Sequence, residues 1–162
     1  MPFTPFHFGP GAAFKAAIPR YFSFTVFCFA QVLTDCETGY YMIRGEYPLH
    51  RWLHTYIGAA AVAAVCILVG RPICQFLLGL WKRRSSETIR EQPQISFAAA
   101  SIAAFAGTYS HVLLDSIMHS DVKPLRPFSD SNPLLGIIAW GPLHILCVVF
   151  GVAGFAWIVA RR

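Results

Sequence analysis

Long apolar runs separated by short polar stretches dominate the 162-residue chain. Residues 133–160 contain no charged side chain and a single histidine, His144. At about 1.5 Å per helical residue, this segment is longer than the ~30 Å hydrocarbon core of a bilayer. Residues 95–118 are also small and apolar until His111 and Asp115. Both segments are therefore predicted to be membrane-spanning helices.

A third predicted span covers residues 48–70. Arg71 and Pro72 either bend or end it, because proline lacks an N–H and its ring clashes with the preceding helical turn. Residues 73–81 then either continue the helix or lie along the membrane interface. The polar stretch 82–94 is predicted to be a surface loop.

The N-terminal region allows two arrangements. Residues 12–18 are too short to span a bilayer, and residues 21–34 would form a helix about 21 Å long. They form either one kinked helix or a short helical hairpin that turns around Pro19. We favour the hairpin, because it brings His7 back to the membrane face that carries Asp35.

Together these segments predict an all-α fold. It is a small polytopic membrane helical bundle with about four membrane segments and a short N-terminal helical hairpin, in one domain of residues 1–162. The composition agrees, since 56% of residues are hydrophobic and 13% are charged, against about 45–50% and 25% in soluble domains. Such a composition excludes a disordered chain, a charged coiled coil and a well-hydrated soluble fold.

The basic residues lie at the ends of the apolar segments, which is typical of membrane anchors rather than of nucleic-acid binding. One predicted membrane face carries eight basic and two acidic residues, and the other carries four basic and six acidic residues. By the positive-inside rule the first face is cytoplasmic. The sequence thus predicts an integral protein of a bacterial inner membrane with no nucleic-acid partner.

Histidines and carboxylates recur at helical spacing near the acidic face. His50 and His54 are four residues apart, so a helix would place them on one face. His111 and Asp115 repeat this spacing, and His119 extends it by one turn unless it already lies in the loop. Ionisable groups at membrane depth are costly and therefore indicate function.

Two further carboxylates, Asp35 and Glu37, follow the predicted helix that ends at Thr34. Histidine and carboxylate are the ligands of zinc and similar divalent metals. We therefore predict a site for one to three divalent ions, most consistent with Zn²⁺. Its predicted ligands are His7, Asp35, His50, His54, His111, Asp115 and His119. Glu37 is expected to be a ligand or a base behind the ligands, and His144 a hydrogen-bonding residue within the bundle.

The order of these motifs resembles a known family. His7, LTDCE (33–37), HRWLHT (50–55) and SHVLLD (110–115) are similar to an early histidine, an LPDxD-like turn, an HRGxTHS-like motif and an SHxxxD motif. These mark the LexA-regulated, membrane-bound family of predicted metal-dependent hydrolases. The chain departs from that pattern at Thr34, at Glu37 and in the four-residue spacing of its HRWLHT histidines. MHSDVKPLRP also replaces the TPxG-like turn expected after SHxxxD.

The family is distantly similar to the zinc-dependent phospholipase C and single-strand nuclease superfamily, which implies phosphoester chemistry. The first hypothesis is a membrane-bound metal-dependent hydrolase that acts on a membrane lipid or lipid-linked phosphoester, with Arg51 holding an anionic group. Aromatic residues near the membrane boundary suit such a substrate: Phe6, Phe8, Trp52, Phe128 and Trp140. The alternative is a non-enzymatic membrane protein whose His/Asp cluster is a structural metal or polar staple. A metal-ion transporter is less favoured, because only His144 lies well within a span.

Overall fold

The computed structural model describes residues 4–84 and 94–161, and all regular structure in these ranges is helical. The all-α prediction is therefore confirmed. The helices are α1 (Thr4–Ala17), α2 (Phe24–Ile43), α3 (Tyr56–Val65), α4 (Arg71–Arg84), α5 (Phe97–Met118) and α6 (Trp140–Ala160), with a π-helical segment (Cys66–Gly70) between α3 and α4.

Three helical stretches are long and apolar enough to cross a membrane: Tyr56–Lys82, Phe97–Met118 and Trp140–Ala160. They indicate insertion into a membrane. The prediction of about four membrane segments is wrong by one among the described residues. Helix α2 has sufficient length, but its second half carries Asp35 and Glu37 among other polar side chains.

The helix of the third span continues through Arg71 and Pro72. The Arg71 N–H donates to the carbonyl oxygen of Cys66, so the turn before the proline is widened to π geometry. A π turn is a recognised way for a helix to absorb a local irregularity without ending. Of the two alternatives for residues 73–81, the structure adopts the continued helix.

The N-terminal hairpin is confirmed. Helices α1 and α2 pack against each other, and Lys15 closes the connection by donating to the carbonyl oxygens of Pro19 (2.6 Å) and Phe22 (2.9 Å). Helix α2 does not end at Thr34 as expected. It continues to Ile43 and ends before Gly45, whose φ of +66° suits a helix C-terminus.

Helix α6 also begins later than the sequence suggests, since residues 133–139 form turns before Trp140. It packs closely against α1 through glycines. A Cβ on Gly9 would lie 1.9 Å from the carbonyl oxygen of Cys147, and one on Gly154 would lie 2.5 Å from the Ala12 backbone. This contact holds the first turns of α1, and with them His7, against the rest of the bundle.

The centre of the bundle is built from α2, α3 and α5. Helix α5 presents a row of buried small residues, including Ala100, Ala103 and Ala104. A Cβ on Gly107 would lie 2.9 Å from the Cβ of Ala30 on α2. Small residues allow membrane helices to approach closely, which strengthens van der Waals packing. Helix α5 therefore packs closely against both α2 and α3, whereas α6 packs mainly against α1.

The glycine contact between α1 and α6 gives the first prediction. Gly154→Leu should force the two helices apart and lower the stability by about 1–3 kcal/mol, as overpacking generally does. Gly141→Leu is the matched control on the same helix, because no atom lies within 4 Å of a Cβ at that position. Thermal unfolding in detergent measures both variants. Equal midpoints for the two variants would contradict the close α1–α6 packing.

Candidate metal centre

Five histidines surround the carboxylate of Asp115, which lies in the last turns of α5. The Nε2 atom of each imidazole is within 4.0 Å of an Asp115 oxygen. The distances are 3.2 Å for His111, 3.5 Å for His54, 3.6 Å for His7, 3.8 Å for His50 and 4.0 Å for His119. Asp115 and all of these histidines except His119 are buried.

The two oxygens of Asp115 face different partners. Oδ2 faces His111, His54 and His50, whereas Oδ1 faces His7 and His119. A second carboxylate joins the Oδ2 side. Oδ1 of Asp35 lies 3.2 Å from His111 Nε2 and 3.9 Å from His54 Nε2. All seven predicted metal-ligand residues are thus brought together.

The segments reach this point by different routes. His111 and Asp115 lie one turn apart on α5, as the sequence predicts. His50 and His54 were expected on one helix face, but residues 50–55 form a non-helical turn and α3 begins at Tyr56. This turn still directs both rings inward. They pack edge to face, with their ring centroids 4.6 Å apart.

Glu37 holds that turn in place. Its Oε2 accepts hydrogen bonds from the backbone N–H groups of Arg51 and Leu53, each at 3.0 Å, and from His54 Nδ1 at 3.2 Å. Burial alone would raise the pKa of Glu37, but these hydrogen bonds hold it below its usual value. Glu37 therefore lies behind His54 as an ionised carboxylate, one of the two positions considered for it.

Three of the histidines have their Nδ1 atoms engaged in the same way. His54 donates to Glu37, His50 donates to both oxygens of Asp121 at 3.0 Å, and His111 donates to Oε1 of Gln31 at 2.7 Å. Carboxylate and amide oxygens only accept, so Nδ1 carries a proton in each of these three rings, and Nε2 is the nitrogen that faces the centre. Partners of this type fix the tautomer of metal-binding histidines.

Asp121 and Gln31 were missed as site residues by sequence reasoning. Asp121 follows His119 by two positions, and its carboxylate also accepts from the backbone N–H groups of Leu49 and His50. Gln31 is fully buried and donates to the carbonyl oxygen of His7 and to Ser110 Oγ. One signal pointed to Gln31, since a polar residue four positions before Asp35 shares its helix face.

Several atoms at the centre lack a hydrogen-bond partner among the described residues. They are His7 Nε2, His111 Nε2, His119 Nε2 and Asp115 Oδ1. An unsatisfied buried polar atom costs about 1–3 kcal/mol, so such atoms seldom occur without a reason. Burial lowers the pKa of His7 to about 4, and it also lowers the pKa of His119. Both rings are therefore neutral at pH 7 and can present a lone pair.

The donor set fits a divalent metal ion. One ligand atom from each of Asp35, His54, His111 and Asp115 lies within 4.8 Å of the other three. Imidazole nitrogen with carboxylate oxygen is a donor combination bound by zinc and by other first-row metals. The arrangement is therefore able to hold a metal ion.

Arg51 and His144 lie outside the cluster. The Arg51 guanidinium donates to Glu46 at 3.1 Å and lies 3.5 Å from the centroid of the Tyr41 ring. The guanidinium therefore contacts Glu46 and Tyr41 rather than the histidines. His144 Nδ1 donates to the carbonyl oxygen of Trp140 at 2.8 Å. This hydrogen bond stays within α6 and is exposed, whereas the sequence predicted a hydrogen bond within the bundle.

Comparisons with known proteins give no identification. No family model, no curated protein and no solved structure matches the chain. The resemblance to membrane-bound hydrolases therefore rests on its motifs alone.

The convergence on Asp115 gives the second prediction. In chelator-treated protein, Asp115→Asn should lower the free energy of unfolding by about 3–5 kcal/mol, because it removes one side of a buried charged network. Asp130→Asn is the control, since it removes an exposed carboxylate whose partner is Arg126. It should leave the midpoint of detergent-solubilised protein unchanged. A similar midpoint for the two variants would show that Asp115 does not organise the cluster.

Proposed function

We propose that this protein is a membrane-bound, metal-dependent hydrolase that acts on a lipid or a lipid-linked phosphoester. The observation that carries the proposal is a set of buried Nε2 atoms that lie near the carboxylate of Asp115 but make no hydrogen bond. Hydrogen bonding within the protein leaves these atoms unsatisfied, and a divalent cation would satisfy them.

The primary ion position lies between Asp35, His54, His111 and the Oδ2 atom of Asp115. A zinc-like ion there would lower the pKa of a coordinated water toward about 7 and polarise a phosphoryl oxygen. Glu37 orients His54, and its negative charge makes that imidazole a stronger ligand. Asp35 is partly exposed and marks the side from which substrate reaches the cluster.

The position of the cluster supports a substrate drawn from the membrane. It lies where the membrane-spanning helices α3 and α6 begin and where α5 ends. Trp52 (62% exposed), Phe128 (86%) and Trp140 (59%) present aromatic surface at this end. Tryptophan side chains favour the membrane–water interface, where a lipid head group meets its tail. The phosphoester component rests on the motif resemblance.

A structural role for the metal is the second candidate. Asp35, His54, His111 and Asp115 together offer four protein ligands, which is the number in a closed tetrahedral zinc site. A catalytic ion instead keeps a position for water. The two candidates differ in whether metal removal abolishes an activity or only lowers stability.

The third prediction tests the metal and the activity on the same variants. Purified wild type should retain a divalent metal and hydrolyse phosphoester lipids in mixed micelles, and a chelator should abolish the hydrolysis. His111→Ala removes a ligand, and we expect it to lose the metal and the activity. His144→Ala is the control and should keep both.

Metal content is measured by plasma mass spectrometry and hydrolysis by phosphate or alcohol release. Full metal content in His111→Ala would refute the site. If the wild type retains metal but hydrolyses no phosphoester lipid, the metal has a structural role and the enzymatic proposal is wrong.

We also propose that the cluster faces outward from a bacterial inner membrane. The support is the charge asymmetry of the sequence, which predicts eight basic residues on the opposite face against four on the face of the cluster. Asp35, Asp121 and Asp130 lie toward the cluster, whereas Lys15, Arg20 and Lys82 lie toward the other helix ends.

The fourth prediction concerns this orientation. In a cysteine-free background, Ser131→Cys should react with a membrane-impermeant thiol reagent added from outside. Gln94→Cys should react only after the membrane is opened. Both positions are exposed and lie at opposite ends of α5. The reverse pattern would invert the orientation, and labelling of both from one side would refute the membrane topology.

A further inference from the structure

A cleft of about 380 Å³ lies at the end of the bundle opposite the histidine cluster. It opens between the connection from α1 to α2, the first turn of α5 and the second half of α4. Its volume is within the range of small-ligand sites, which is about 300–1,000 Å³. Lys15 and Arg20 line the cleft, and no described carboxylate does. The cleft is therefore positively charged and remote from the predicted metal ligands.

The charge of Lys15 has no carboxylate partner among the described residues. The side chain is partly buried, and its ammonium donates to two neutral acceptors, the carbonyl oxygens of Pro19 (2.6 Å) and Phe22 (2.9 Å). Burial lowers the pKa of Lys15, because it removes water from the charged form. Buried charges in proteins are usually paired with an opposite charge. An ammonium has three N–H groups, so one remains for an anion in the cleft.

Arg20 adds a second cation at the exposed edge of the cleft. It follows Pro19 in the turn between α1 and α2. Its side chain is exposed and forms no hydrogen bond or ion pair with the part of the chain that the structure describes. The guanidinium N–H groups form a planar fork that fits two oxygens of a phosphate group. Arg20 is thus able to contact an anion that Lys15 contacts from inside the cleft.

The backbone around the cleft favours the same sign of ligand. Helices α2 and α5 both begin here, and the hydroxyl oxygens of Ser23 and Ser96 accept from the N–H groups of Val26 (3.4 Å) and Ala99 (3.1 Å). Ser23 N–H donates to the carbonyl oxygen of Ala99 at 3.4 Å, so the two helix starts lie side by side. The N-terminus of a helix carries a partial positive charge. These termini therefore reinforce the field of the two cations.

The wall of the cleft at the start of α5 is held by side chains of α4. The N–H of Ile95 donates to Gln75 Oε1 (3.3 Å), and the carbonyl oxygen of Ile95 accepts from Arg71 Nε (2.7 Å). Lys15 holds the opposite wall through its two hydrogen bonds to the hairpin connection. A site whose walls are already fixed binds its ligand without a further entropic cost of ordering them.

We propose that this cleft binds one phosphate group, with Lys15 and Arg20 as the residues that contact it. Its favoured source is the head group of an anionic phospholipid. The cleft lies where the membrane-spanning stretch Tyr56–Lys82 ends and Phe97–Met118 begins, and basic pockets at this level between membrane helices bind such head groups. A soluble phosphate compound offers the same chemistry. This site is separate from the metal centre and does not depend on the proposed hydrolase activity.

Thermal unfolding of the full-length protein in a nonionic detergent tests the proposal. Chelator treatment removes any cation at the histidine cluster, so that phosphate cannot bind to a metal there. The probes are dioctanoyl phosphatidylglycerol, which is anionic, dioctanoyl phosphatidylcholine, which has no net charge, and inorganic phosphate. A ligand of the folded state raises the unfolding midpoint with its concentration, which gives an affinity. We expect phosphatidylglycerol to raise the midpoint and phosphatidylcholine to leave it nearly unchanged.

Two pairs of variants locate the binding, and Lys15 is left in place because it also closes the hairpin. Arg20→Gln should weaken phosphatidylglycerol binding about tenfold, which corresponds to the loss of a charged hydrogen bond. Arg161→Gln is its control, since Arg161 is an exposed cation at the same end that does not line the cleft. Ser96→Asp adds a negative charge to the cleft and should weaken binding at least as much. Ser96→Asn is its neutral control, because asparagine, aspartate and serine are similarly good N-caps.

The outcomes assign or remove the site. Weaker phosphatidylglycerol binding in Arg20→Gln and Ser96→Asp, with both controls like the wild type, would support a lipid head-group site. An Arg20-dependent shift of the same size with inorganic phosphate would support the site and assign it to a soluble phosphate compound. Equal shifts with the two lipids, no shift with any probe, or wild-type affinity in Arg20→Gln or Ser96→Asp would overturn the proposal. His111→Ala should bind phosphatidylglycerol like the wild type, and loss of binding in that variant would place the lipid at the histidine cluster instead.

Discussion

The carboxylate of Asp115 is the interaction on which the rest of the structure depends. It is buried near the end of a membrane-spanning helix, where an isolated charge would be very costly. Five imidazoles drawn from three separate stretches of the chain face it, and a second carboxylate, Asp35 of α2, faces two of them. The chain must therefore bring α1, α2, the 50–55 turn and the end of α5 to one point, and the fold can be understood as the means of doing so.

Close backbone packing makes this convergence possible. The contact of Gly9 and Gly154 with the facing helix fixes α1 along α6, and the first turns of α1 carry His7. Gly107 lets α2 approach α5, which brings Asp35 to within 3.2 Å of His111. In a bilayer the packing of small residues replaces the hydrophobic force that joins helices in water. The apolar part of the protein thus positions its polar part.

The sequence predicted the features that depend on local spacing. The i, i+4 pair of His111 and Asp115 lies on one helix face, and the hairpin that returns His7 to the cluster follows from the break around Pro19. Features that depend on distant partners were not predictable. The inward turn at residues 50–55 is held by Glu37, fourteen or more positions earlier. The four-residue spacing of His50 and His54 suggested a helix, but the backbone there is not helical. The turn nevertheless brings the two rings together.

The length of α2 also could not be predicted from local sequence. Polar residues after Thr34 suggested that the helix ends there, because they interrupt an apolar run. They instead lie on the inner face of a continuing helix, where Asp35 meets His111 and Glu37 meets His54. A polar residue in an apolar pattern marks a boundary only when no buried partner exists for it. In this chain the partners come from α5 and from the 50–55 turn, which no local pattern reveals.

The groups behind the histidines explain why a structural and a catalytic role for metal overlap here. Glu37 and Asp121 each tie a backbone segment to a histidine, so the atoms that orient the ligands also hold the loops. Binding of a cation to His50 or His54 would therefore stabilise the same segments, since metal affinity and folding free energy are linked. In a protein of this design a bound metal would also hold this end of the bundle together when no substrate is present. A catalytic role would require in addition that one coordination position of that metal remain open on the partly exposed side, where Asp35 lies.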